Sequence, residues 1–347
     1  MWQDARGEYR GFRGTRTDYR SHGPCLTDVV YTEETSGGEI GARMEVSIAR
    51  SDDYLRAFHR LRYDVRQPIQ WQRLAFYQMG ADFYNCVPAR QVAFGDRDEL
   101  RQDWQPVWDQ QGFDRRGIGL TGVQPWVAIH GVDKSALGQH EAAATRGFIV
   151  RSWKARLGGK ACPVPHFSTY LSPAGQPGGR IVVELSPPPQ VARLEKGDFV
   201  EADLELVMFP AIPADYYGPN QSFREALEKT PDSWQLVARE AKGNELLASA
   251  SRGRVLRSYP LQVVAKRERA RVAIRGGLGY VPITFSGLKH YRGYELAVDG
   301  VRLDQSVHGN DFWQTDYEPG SKTWRLTYNV PLSSTNHVIK FGPAATP

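Results

Sequence analysis

The sequence is poor in the features that most directly announce a chemistry. Three cysteines, Cys25, Cys86 and Cys162, lie far apart and form no CxxC pair or Cys/His cluster. That excludes a recognisable zinc site and allows at most one disulfide, so three scattered core thiols are expected. No run of about 18 apolar residues occurs, and no membrane-spanning helix is expected. The first residues, MWQDARGEYRGFRG, lack the apolar stretch of a signal peptide. A mature secreted or periplasmic chain and a cytoplasmic one both fit that beginning. A phosphate-binding loop, HExxH and GxSxG are all missing, and GGLGY at 276–280 runs into VPITF rather than into a helix. Nucleotide, zinc-protease and serine-hydrolase chemistry therefore have no anchor, and no cofactor or metal is implied.

Lys and Arg number 44 against 39 Asp and Glu, a formal charge of +5. The excess is mild and dispersed, without the clustered basic stripe that nucleic-acid binding asks for, so no nucleic-acid partner is expected. It suits an acidic substrate. The 34 glycines and 22 prolines fit many strands joined by many turns. Nine Trp and 16 Tyr supply flat apolar faces with a polar edge, on which a sugar ring can stack. Core and interface packing is the plain alternative for each of them.

Period-two alternation dominates. Over 42–48, Ala42, Met44, Val46 and Ile48 share one face, with Arg43, Glu45 and Ser47 opposite. In 54–65, Leu55, Ala57, His59, Leu61, Tyr63 and Val65 alternate with Tyr54, Arg56, Phe58, Arg60, Arg62 and Asp64. Segments 71–80, 145–156, 181–185 and 198–209 read as further strands. The last of these sets Val200, Ala202, Leu204, Leu206 and Met208 against Glu201, Asp203 and Glu205. One helical island interrupts. Ser222 with Glu225 fits a capping box, Pro231 can open a second helix, and Gly243 can close it. Strand patterning then resumes, with Asp299-Gly300 as a two-residue hairpin turn. The expected layout is an N-terminal antiparallel β-sandwich over 1–215, a helical connector over 216–245 and a C-terminal β portion over 246–347.

Three stretches, GDFVEADLELVMFPAIPADYYGPN (197–220), GGLGYVPITFSGL (276–288) and DQSVHGNDFWQTDYEP (304–319), resemble a group of largely uncharacterised bacterial proteins. These are β-supersandwich proteins of the galactose mutarotase-like type, found among polysaccharide-degrading genes. The resemblance implies an all-β supersandwich, and neighbouring families on that fold include polysaccharide lyases and glycoside hydrolases. Fold alone does not fix which.

Two polar stripes are candidate groove walls: Arg56, Arg60 and Arg62 on one strand, Glu201, Asp203 and Glu205 on another. Cross-strand ion pairing on a solvated face is the alternative. Loops offer the other candidates, because sites concentrate on loops held by a rigid scaffold. These are His22 with Asp28; Asp82, Tyr84 and Asn85; Tyr216, Tyr217 and Asn220; and His308, Asn310, Asp311 and Trp313. Elimination on a uronic-acid chain needs a group that neutralises the carboxylate, a base and an acid, roles open to Arg or Asn, His, and Tyr. His22, Asn85, Tyr216 and Tyr217 are the expected proton-handling residues, with Arg62 pointing into the same groove. Hydrolysis needs paired carboxylates instead, and Asp28, Asp82, Glu201, Asp203 and Asp311 keep it open. The expectation is a polysaccharide-cleaving protein, a lyase on acidic glycans ahead of a hydrolase, with a non-catalytic glycan-binding module as the third reading. A homo-oligomer would cover the exposed sheet edges.

Overall fold

The computed structural model describes residues 2–50, 54–80, 90–131, 144–172, 180–210, 221–229, 234–243, 246–276, 279–303, 313–332 and 335–344. Among the described residues the chain is all-β apart from two helices, α1 (Gln221–Lys229) and α2 (Trp234–Gly243). It divides into two compact units. The first comprises Met1–Asp18, Val30–Glu45 and His59–Lys242, and the second Tyr19–Val29, Val46–Phe58 and Gly243–Pro347.

A large sheet, most of whose residues belong to the first unit, runs in the order Leu100–Trp104, Arg90–Gly95, Trp126–Gly131, Ala144–Leu157, Phe199–Pro210, Leu55–Val65, Ile40–Ala49, Leu26–Thr35, Phe12–His22. The four-stranded sheet Ile118–Gly119, His166–Ser172, Arg180–Ser186, Tyr77–Gly80 faces a shared core with it, including Leu61, Val92, Val127, Phe148, Phe167, Val183 and Leu204. The segment expected as one strand from Trp71 forms two, Trp71–Leu74 and Tyr77–Gly80.

The alternation expected along Phe199–Pro210 holds only to Leu204. Beyond it Val207 and Phe209 are buried, and so is Glu205. The cause is α2, which covers the outer face of the sheet here: the Trp126 and Trp234 rings stack at 5.8 Å. Arg151 reaches Glu205 at 2.6 Å and also donates to the main-chain carbonyls of Ala241 and Glu240 at the end of α2. One guanidinium thus satisfies a buried carboxylate and the carbonyls that a helix end leaves open. Glu205 is separated from Glu201 and Asp203 by this.

The strand Ile40–Ala49 corrects a second expectation. Ala42 is buried as read, but Glu45 and Ser47 are buried too, while Ile48 is 44% exposed. Its first half belongs to one unit and its second half to the other, so no single face has to be apolar throughout. In the second unit Ser47 donates to the buried Asp28 at 3.0 Å. Leu55–Val65 behaves alike, with Arg56 and Phe58 buried at its start and Phe58 packed on Tyr259.

The second unit holds two five-stranded sheets. One runs Leu247–Arg252, Ala270–Arg275, Asn336–Pro343, Tyr294–Val298, Val301–Arg302, and the other Arg254–Ser258, Leu261–Val264, Gly279–Leu288, Thr323–Leu332, Trp313–Glu318. The first includes the expected hairpin, with φ 51° at Asp299 and 89° at Gly300. Side chains of both sheets, among them Val263, Phe285, Leu296, Tyr328 and Phe341, form its core. Gln314 ties an early stretch of chain into this unit: its carbonyl accepts the N–H groups of Cys25 and Leu26 at 2.8 Å each, and its amide donates to the Leu26 carbonyl at 2.9 Å. Cys25 and Cys162 are buried, and Cys86 lies outside the described residues. No helix among the described residues is long and apolar enough to cross a membrane.

Replacing Arg151 by Met should destabilise the protein by about 3–5 kcal/mol, because Glu205 stays buried without its cation. Exchanging both Arg151 and Glu205 for Met should recover most of the loss. Chemical denaturation of the two variants measures the difference.

Candidate functional site

A cleft of about 220 Å³ opens on the first unit. Its floor is the outer face of the four-stranded sheet. Along Arg180–Ser186, Ile181, Val183 and Leu185 turn to the core, and period two therefore turns Glu184 and Ser186 outward. Ser168 lies opposite Glu184 in the ladder and shares a 2.7 Å hydrogen bond with Ser186. Arg73, from the strand Trp71–Leu74, pairs with Glu184 through two nitrogens, and Gln78 donates to the same carboxylate. The ion pair is inaccessible, with Arg73 4% and Glu184 1% exposed. The Arg73 guanidinium also lies 3.4 Å from the centre of the Tyr170 ring, a cation–π contact. Burial holds the Tyr170 hydroxyl above its ordinary pKa, against the opposing pull of Arg73.

The walls are apolar and aromatic. Trp71 is half-buried, and Pro187, Pro188, Pro189 and Val191 close one side. Phe113 meets Tyr170 edge to face, with centroids 4.9 Å apart. Arg116 spreads over the Phe113 ring at 3.8 Å and donates to Asp109 at 3.3 Å and to Gln111. Asp109 is held below the ordinary carboxylate range, first by the N–H of Phe113 and then by that of Gln111 and by Arg116. Gly117 sits at the rim with φ +63°, and a Cβ there would meet Pro189 at 2.4 Å, so the close approach of the two loops needs glycine. Its N–H donates to Ser168 at 2.9 Å.

Those sequence-predicted residues that the structure describes fall elsewhere. Arg60 pairs with Asp203 at 2.7 Å, and Arg62 divides between Asp64 at 2.7 Å and Glu201 at 2.9 Å. The two stripes are thus neighbours in one sheet and bond to each other, and half-exposed pairs of this kind contribute only about 0–1 kcal/mol. Arg56 does not join them, being buried beside Tyr54 in the second unit. His22 is exposed at the end of Phe12–His22. Asp28 is buried, with Ser47 at 3.0 Å and Arg257 at 3.7 Å. Trp313 packs half-buried against the core of the second unit. Asp82, Tyr84, Asn85, Tyr216, Tyr217, Asn220, His308, Asn310 and Asp311 lie outside the described residues.

Among the residues that sequence reasoning passed over, Trp71, Arg73 and Glu184 stood inside segments read simply as strands, and Pro187–Pro189 inside a loop noted for its turn chemistry. The available signal was an Arg and a Glu at positions that alternation puts on one outward face, beside Trp71 and a triple proline. No group of three metal-ligating side chains occurs among the described residues.

One further titratable pair is buried in the first unit, where His59 packs 5.2 Å from Tyr77, ring to ring. Its Nδ1 makes no hydrogen bond among the described residues. Burial lowers the His59 pKa from 6.5 to about 4 and raises that of Tyr77, so at neutral pH the imidazole is uncharged and the phenol protonated.

No family model matches the chain, and no curated protein does. Solved structures do. An alpha-galactosidase from Lactobacillus brevis is 10% identical over 60% of this chain and 28% of its own, with a TM-score of 0.35. An alpha-galactosidase from Geobacillus stearothermophilus is 10% identical over 60% and 29%, with a TM-score of 0.35. A polysaccharide lyase is 13% identical over 97% and 40%, with a TM-score of 0.23. The chain spans less than a third of the length of either alpha-galactosidase.

The His59 shift sets a pH dependence. Its folded-state pKa lies below the unfolded value, so the unfolded chain takes up the proton first as the solution is acidified. Stability present at neutral pH should fall as pH drops from 6.5 towards about 4. His59→Phe should flatten that part of the curve of unfolding midpoint against pH.

Proposed function

We propose that this is a carbohydrate-active protein that takes a glycan chain into the Trp71–Phe113 cleft, and that the glycan is acidic. One observation carries the reading: Trp71 and Phe113 border a polar floor, with the Arg116 guanidinium laid over the Phe113 ring. Aromatic faces suit the apolar side of a sugar ring. A planar guanidinium suits a carboxylate, which it binds through two parallel N–H donors.

The described lining also bears on the reaction. Hydrolysis uses two carboxylates about 5–9.5 Å apart. Among the described lining residues Glu184 is the one carboxylate, and it is already committed to Arg73 and Gln78. A carboxylate-neutralising Arg with no carboxylate pair favours elimination over hydrolysis, and polysaccharide lyase activity is the finer form of the proposal. One observation favours a binding module instead: the cleft's described residues include no histidine.

The purified chain, incubated with polygalacturonate and alginate, should generate the ultraviolet absorbance of an unsaturated uronate. New reducing ends without that absorbance would replace elimination by hydrolysis. Binding without any product would leave the module. In each of these cases Trp71→Ala should weaken glycan binding by about tenfold, near 1.4 kcal/mol. Unchanged affinity in that variant would remove the cleft from the function.

A further inference from the structure

The second unit has a larger cleft of its own, about 590 Å³, well within the roughly 300–1,000 Å³ of small-ligand sites. It lies where Leu247–Arg252 begins, Ala270–Arg275 ends and Asn336–Pro343 begins. Leu247 and Val338 give it an aliphatic wall. Ser249 and Ser258 add hydroxyls.

Two polar side chains are placed with some specificity. Arg275 and Asn336 stand opposite each other in the antiparallel ladder, which puts their Cβ atoms about 5 Å apart on one face. Both are exposed, and among the described residues neither side chain has a hydrogen-bond or ion-pair partner. His337, the next residue, stands opposite the buried Ile274 and so turns to the other face of the sheet, where its Nδ1 lies 2.7 Å from Asp299 Oδ2. Asp299 in turn accepts the N–H of Val338 at 2.7 Å and occupies the left-handed turn position at φ 51°. Its carboxyl lies below the ordinary range, first through the Val338 N–H and then through His337. The carboxylate fixes the imidazole, and with it the start of the strand that carries Asn336, with the Thr335 hydroxyl 3.5 Å from Nε2.

We propose that this cleft binds a carboxylate-bearing sugar. The Arg275 guanidinium and the Asn336 amide supply adjacent N–H donors for the carboxylate. The Ser249 hydroxyl, on the same face of the sheet as Arg275, meets ring hydroxyls, and the Leu247 and Val338 side chains cover the apolar edge of the ring. A simple anion would use the two donors alone, whereas the hydroxyls and aliphatic wall fit a polyhydroxylated ring. The site rests on the second unit alone and does not depend on the Trp71 cleft.

The test titrates the full chain with a galacturonate trisaccharide by calorimetry. Two binding steps are expected. Arg275→Gln and Asn336→Ala should each weaken one step by at least about tenfold, the loss of a hydrogen bond to a charged group. Both positions are exposed, so unfolding midpoints should match that of the unmodified protein. Galactose trisaccharide, lacking the carboxylates, should lose that step by a similar factor. An isotherm that Arg275→Gln leaves unaltered overturns the proposal. Trp71→Ala separates the two sites. If it removes all binding, the second-unit site falls and the first stands; if Arg275→Gln removes all binding, the reverse holds.

Discussion

A carboxylate cut off from water must be met by a cation, and the first unit is organised around two such meetings. Glu205 and Glu184 project from different sheets, and burial of an unpaired charge would cost several kcal/mol. Arg151 answers the first and, through the carbonyls of Ala241 and Glu240, fixes α2 on the large sheet. Arg73 answers the second and draws the strand Trp71–Leu74 over the small sheet, which carries Trp71 to the mouth of the cleft. The same constraint therefore sets both the position of a helix and the shape of the candidate site.

Much of the fold was legible because alternation is a strong signal where one face of a strand is wet. The strands at 145–156 and 181–185, the hairpin at Asp299-Gly300 and the helix ending at Gly243 could all be read from pattern and turn chemistry. Alternation lost its meaning where both faces are covered, as at Glu205 beneath α2, or where one strand serves two units, as at Ser47 and Arg56. Sequence pattern records which residues avoid water only relative to a single partner surface, and these strands have two.

The candidate site was harder to read for a different reason. Polar stripes attract attention in a sequence, yet Arg60 and Arg62 bond to Asp203 and Glu201 across adjacent strands. Arg73 and Glu184 are 111 residues apart and hidden, so nothing local announces that they meet. A pair that depends on the register of separate elements becomes visible only in three dimensions.

The amide of Gln314 has a practical bearing on how the protein can be cut. It holds the backbone of Cys25 and Leu26 to a strand almost three hundred residues later, so the second unit is not a C-terminal segment. A fragment started after α2 would lack Tyr19–Val29 and Val46–Phe58 and would expose the buried Gln314 carbonyl and amide to water in place of their main-chain partners. Dissecting this protein into pieces that still fold calls for a permuted or co-expressed design that keeps those early stretches, because its units are contiguous in space and broken in sequence.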